Sequence, residues 1–121
     1  MVLAVTAGFQ AVGGEGDDRI YTFQVDNGML KAGENSPIKP DGATGTVGFS
    51  ISTKGDRLFV STFKNSGVLT FNVDPNTAKI SQMGMPVSND RRAACWTAIT
   101  KDGKTLYVSN FLSLNSSVYM T

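Results

Sequence analysis

The chain has 121 residues, with 11 Lys and Arg against 10 Asp and Glu, a net charge of +1 and no basic block, which argues against a nucleic-acid or anionic-membrane surface. It has no histidine, so the commonest general base and the commonest metal ligand are both missing, and its single cysteine, Cys95, cannot form an internal disulfide. No apolar run is long enough to span a bilayer, and 40% hydrophobic residues with 13 glycines fit a globular all-β chain with many tight turns.

VLAVTA at 2–7 alternates like a strand, and the absence of a charged leader region argues against a signal peptide. Residues 8–18 are polar and Gly-rich, hence a loop. IYTFQVD at 20–26 and MLKAG at 29–33 read as the next two strands, and 34–45 as a second long loop. TVGFSIS at 46–52, RLFVSTF at 57–63 and VLTFNVD at 68–74 follow as strands. They are divided by the turns Lys54-Gly55-Asp56 and Asn65-Ser66-Gly67. After the turn signal Asp74-Pro75-Asn76-Thr77, residues 78–83 supply a weaker fourth strand. AACWTAIT at 93–100, TLYVSNF at 105–111 and SSVYMT at 116–121 complete the series.

These elements repeat with one period. ISTKGDRLFVSTF at 51–63 returns as ITKDGKTLYVSNF at 99–111, which places Phe59 on Tyr107, 48 positions on. IYTFQVD at 20–26 returns as VLTFNVD at 68–74 with the same offset. A period of about 40–50 residues made of four short strands is a β-propeller blade. Labelling the strands of a unit A to D, the chain reads B-C-D, A-B-C-D, A-B-C: about two and a half blades. The expected divisions are an incomplete blade at 1–45, a complete blade at 46–92 and an incomplete blade at 93–121, within one partial propeller domain.

The residues also resemble a known family. ACWTAITKDGKTLYVSNF at 94–111, a Ser/Asn turn and SVYMT at 117–121 are similar to lactonase-type seven-bladed β-propellers. So are LAVTAG at 3–8, GDRLFVST at 55–62 and VLTFNVDPNT at 68–77. That group includes 6-phosphogluconolactonase-like proteins and carboxymuconate cyclases. Its YVTN-type repeats are matched by YVSN at 107–110. The resemblance implies hydrolysis or isomerisation of a sugar lactone or related small acid by the parent ring. It carries over no catalytic residue, because the family's histidines have no counterpart here. The isolated chain is therefore expected to be inactive. The alternative is a non-catalytic exported or surface propeller that binds a partner.

In a propeller, strand A lines the channel, and the D-to-A and B-to-C loops surround one mouth of it. Asp90, Arg91 and Arg92 lie on a D-to-A loop, where paired guanidinium groups suit a carboxylate or phosphate. Trp96 follows on strand A, able either to stack on a sugar ring or to fill the wedge between blades. Cys95 is expected to be a buried, inert thiol. Residues 13–21 match the calcium nonapeptide G-G-x-G-x-D-x-U-x, but a single copy lacks the stacked neighbours that site needs, so no metal or cofactor is expected. Asn65 and Asn110 read as turn residues. The implied partners are a small carboxylate or sugar-acid ligand, with self-association or further blades covering the open ends; compartment is undetermined.

Overall fold

Alternating segments joined by short turns can satisfy their backbone only by pairing with each other, and here they pair antiparallel throughout. The computed structural model describes residues 2–7, as backbone, together with 18–42 and 45–121. The first sheet is β1 (Val2–Ala7), β2 (Arg19–Asp26) and β3 (Met29–Ala32), in that order. The second runs β4 (Thr46–Ile51), β5 (Arg57–Thr62), β6 (Gly67–Val73) and β7 (Ile80–Gln82). The third is β9 (Ala94–Ile99), β10 (Thr105–Asn110) and β11 (Asn115–Met120). These are the B-C-D, A-B-C-D and A-B-C series of an all-β propeller segment.

One strand was not legible as such. β8 (Val87–Ser88) pairs with Gly67 and Val68, where the sequence reads as a loop. The cause is local. β7 is short and covers only the far end of β6, from Phe71 to Val73, so the near end still presents backbone groups. Gly67 has no side chain, and a Cβ there would stand 2.8 Å from the Val87 carbonyl oxygen. The missing Cβ is what lets β8 close on that edge.

The 48-residue period is exact in register. Ser50 faces Phe59 as Ala98 faces Tyr107, and Ile51 faces Leu58 as Ile99 faces Leu106. Both A–B ladders shift register at the same place, before Phe49 in sheet 2 and opposite 94–97 in sheet 3. The A–B turns use Gly55 at φ 74 and Gly103 at φ 71, a left-handed conformation that other residues adopt only at a cost. A hydroxyl secures each turn: Ser52 Oγ donates to Asp56 at 2.7 Å and Thr100 Oγ1 to Asp102 at 2.6 Å. These bonds hold both carboxyls below their ordinary pKa.

Alternation sends the two faces of sheet 2 to two different neighbours. Leu58, Val60, Leu69, Phe71, Val73 and Ile80 of sheet 2 pack with Ile20 of sheet 1. Phe59 and Val68 pack with Ala94, Leu106 and Val108 of sheet 3. Each fully buried Leu, Val or Phe contributes about 1.5–3 kcal/mol, so these two layers dominate the stability of the stack.

At the inner end the sheets meet through backbone. Gly48 of β4 lies against β9, and a Cβ on it would stand 2.9 Å from Trp96 Cα and closer still to the Cys95 carbonyl oxygen. Ser61 Oγ accepts from Gly48 N at 2.9 Å and donates to the Cys95 carbonyl. Gly48→Ala is therefore expected to force sheets 2 and 3 apart, at a cost of about 1–3 kcal/mol. Urea unfolding would show a lower midpoint; an unchanged midpoint would disprove the close approach.

Candidate functional site

The D-to-A loop between β8 and β9 is held by its own side chains and by those of the neighbouring turns. Asp90 N donates to Ser88 Oγ at 3.1 Å and Arg91 N to Asn89 Oδ1 at 3.0 Å. Arg92 N donates to Ser113 Oγ at 2.8 Å and Ala93 N to Ser66 Oγ at 2.9 Å. Both of the last two acceptors lie in B-to-C turns, so the loop bridges sheets 2 and 3 at one end of their strands. Asp90 at φ 54 and Ala93 at φ 62 show how sharply the chain must turn to do this.

Asn110 anchors the same region from below. It is 1% exposed and fully used: its Nδ2 donates to Asn115 Oδ1 at 3.0 Å and Ser117 Oγ at 2.9 Å, and its Oδ1 accepts from Asn89 Nδ2 at 2.6 Å. The turn role expected for Asn110 is thus only part of what it does. A buried amide must satisfy each donor and acceptor, and here that requirement ties the loop to β10 and β11. No pattern in the sequence distinguishes this from an ordinary turn asparagine.

The loop's charged groups stand clear. Asp90, Arg91 and Arg92 are exposed, and among the described residues neither guanidinium forms an ion pair. Arg91 lines a groove of about 420 Å³ with Ser88, Asn89, Ser116, Ser117 and Tyr119. Tyr119 donates to the Val87 carbonyl at 3.2 Å. Its pKa is pushed up to about 12, first by burial and then by the negative charge of Asp90.

Trp96 is elsewhere. It lines a separate groove of about 250 Å³ with Cys95, Ser109, Phe111 and Leu114. It is 69% exposed, on the face of sheet 3 away from sheet 2, so it does not fill the wedge between those sheets. The structure thus gathers Asp90, Arg91 and Arg92 on one loop and leaves Trp96 on another surface. Cys95 is half-buried, less enclosed than the sequence suggested. Burial nonetheless pushes its thiol pKa up, only partly opposed by the Trp96 N–H, so little thiolate forms near neutral pH. Of the calcium-like motif, 13–17 lies outside the described residues. Asp18 is buried, and its Oδ2 accepts from Gly45 N at 2.6 Å, a structural role. Among the described residues no cluster of three metal-binding side chains occurs, and no helix is long and apolar enough to cross a membrane.

No family model and no curated protein matches the chain. Solved structures do. A candidate 6-phosphogluconolactonase from Bacteroides fragilis superposes with a TM-score of 0.72 at 22% identity, over 84% of this chain and 28% of its own. One from Bacteroides uniformis gives 0.71 at 25% identity, over 84% and 29%. A periplasmic gluconolactonase from Pseudomonas aeruginosa gives 0.68 at 21% identity, over 87% and 30%. The fold is that of a lactonase-type β-propeller, and the chain spans under a third of the length of these neighbours.

Two titrations follow from the site. Tyr119 favours its neutral form in the folded state, so its contribution to stability is complete below pH 10.0 and is lost as pH rises towards about 12. Spectrophotometric titration is expected to show one tyrosinate forming only near the upper value, earlier in Asp90→Asn; no late-titrating tyrosine would contradict this. For Cys95, a disulfide reagent at neutral pH is expected to react more slowly than with the urea-unfolded chain. Equal rates would show that burial does not protect the thiol.

Proposed function

We propose that this protein is the ligand-binding portion of a lactonase-type propeller and that the Arg91 groove takes a small sugar acid or its lactone. The observation that carries the reading is the groove's composition. The Arg91 guanidinium, with no ion pair among the described residues, lies beside Ser88, Asn89, Ser116 and Ser117, whose hydroxyls and amide suit a polyhydroxylated carboxylate, while Val87, Val118 and Tyr119 complete the lining. Arg92, next in the chain and also exposed, supplies a second positive charge at the same mouth. The likeness to proteins described as lactonases supports this choice of ligand.

The described residues supply recognition rather than chemistry. Opening a lactone needs a base to activate water, or a nucleophile. The sequence has no histidine, and the Cys95 thiol is held protonated. The reaction itself is therefore assigned to the whole propeller. The same facts favour one other reading, a non-catalytic propeller whose mouth binds a partner.

Calorimetric titration with gluconate tests the proposal. Millimolar binding is expected, weakened about tenfold in Arg91→Gln by loss of a charged bidentate contact. Glucono-δ-lactone hydrolysis measured alongside should stay at the spontaneous rate. Absence of gluconate binding, or binding indifferent to both arginines, would remove the site. Catalysed hydrolysis by this chain would remove the division between recognition and chemistry.

A further inference from the structure

The polarity of the Arg91 groove is set by a chain of hydrogen bonds in which each direction follows from the one before. It starts at the backbone N–H of Arg91, which can only donate, and Asn89 Oδ1 accepts from it at 3.0 Å. The Asn89 amide is thereby oriented, and its Nδ2 donates to Asn110 Oδ1 at 2.6 Å. That in turn orients Asn110, which is 1% exposed, and aims its Nδ2 at Ser117 Oγ, at 2.9 Å, and at Asn115 Oδ1, at 3.0 Å. Ser117 Oγ therefore accepts from within the fold, and its own proton has no acceptor among the described residues. Ser88 is in the same state: its Oγ accepts from Asp90 N at 3.1 Å, and its proton is left over.

Ser88, Asn89 and Ser117 line the groove together with Arg91. What they hold out to a ligand is donors: two hydroxyl protons, the second Nδ2 proton of Asn89 and the guanidinium. Tyr119 has spent its proton on the Val87 carbonyl, so its oxygen is left to accept from a ligand hydroxyl. Asp90, the one carboxylate of the loop, is outnumbered by Arg91 and Arg92 and does not line the groove. A carboxylate brings two oxygens, four lone-pair positions and a full charge to such an array, and its hydrogen bonds are about twice as strong as neutral ones. A lactone carbonyl brings a single uncharged oxygen.

The fold does not require this relay. Pro40, Asp41, Thr62 and Leu69 stand 48 positions before Ser88, Asn89, Asn110 and Ser117. Thr62 serves only its own turn, where its Oγ1 accepts from Gly67 N at 3.1 Å, and Leu69 is core. The first junction is thus built on the same framework with a turn hydroxyl and an apolar side chain in these places. The buried amide and the serine it orients are found beside the arginine loop.

We propose that Asn110 is a positioning residue that makes the groove selective for an open-chain sugar acid, the product of lactone opening, over the neutral lactone. This rests on the Arg91 groove being the ligand site and names which of its two ligands the site takes. Opening adds water across the ester C–O bond and yields a carboxylate, an alcohol and a proton. The donor array fits that carboxylate. The groove therefore holds product, and a propeller that carries it is inhibited by the acid it releases.

A chemical-shift titration of the Arg91 side chain in the whole chain tests this, with gluconate against gluconamide, a neutral amide of the same skeleton. Gluconate is expected to bind roughly tenfold more tightly. Ser117→Ala removes the hydroxyl proton and leaves Asn110 bonded to Asn115; it should weaken gluconate about fivefold and gluconamide less than about twofold. A purely structural role would weaken both ligands alike. Asn110→Asp is the second variant: its carboxylate cannot donate, so Ser117 turns its proton inward and the preference falls in the same way. Circular dichroism establishes whether that variant is folded, and Ser117→Ala alone decides if it is not. Equal binding of acid and amide, both lost in Arg91→Gln, would overturn the selectivity and leave the groove as the ligand site. A preference unchanged in Ser117→Ala would overturn the part assigned to Asn110. No response to gluconate would remove the site and the proposal with it.

Discussion

The structure depends on one constraint: the inner strand of each sheet must come within backbone contact of the sheet before it. Apolar layers hold the outer strands at side-chain distance, but Gly48 and Ser61 bring β9 against β4 with no side chain between. A seated strand also needs its first N–H satisfied, and Asp18 and Ser66 do this by reaching across the junction. Burial makes these bonds consequential. Asp18, Ser61 and Ser66 are at most 9% exposed, so losing an acceptor would leave a donor without water to replace it.

The same constraint shapes the mouth. Because Ala93 N is held by Ser66, the loop before it has a fixed end, and Arg92 N on Ser113 and Asn89 on Asn110 fix the remainder. These bonds fix the backbone of the loop and not its side chains. Asp90, Arg91 and Arg92 remain exposed, so any contact their charged ends make has to order long side chains at an entropic cost.

Much of the fold was legible because the repeat is written twice. The strand order, the A–B turns at Gly55 and Gly103 and the offset of 48 all follow from side-chain alternation and turn chemistry, which are local. What was not legible depends on neighbours in space. Phe59 and Tyr107 occupy equivalent positions, yet only Phe59 has a sheet above it, so one is core and the other surface. Trp96 reads as wedge filler from its size, and its exposure follows from which side of β9 faces sheet 2. The clamp through Asn110 joins the loop residue Asn89 to β10 and β11, and no spacing announces it. Of the candidate site, the arginine loop was visible as a charge cluster. The serines and Tyr119 that give its groove a chemical character come from β8 and β11, and look like ordinary strand residues.

Repeat stacks are nearly one-dimensional, so each sheet's stability is set by the faces it shares. Sheet 2 shares both and contains most of the fully buried large side chains, among them Phe71, Leu58, Leu69 and Val60. Among the described residues sheet 3 shares one face, and its outward Tyr107 and Val118 are 47% and 59% exposed. Phe59, at the position equivalent to Tyr107, is 4% exposed because sheet 3 lies over it. The same place in the repeat is therefore core in one sheet and surface in the next, and the neighbouring sheet, not the residue's own strand, decides which.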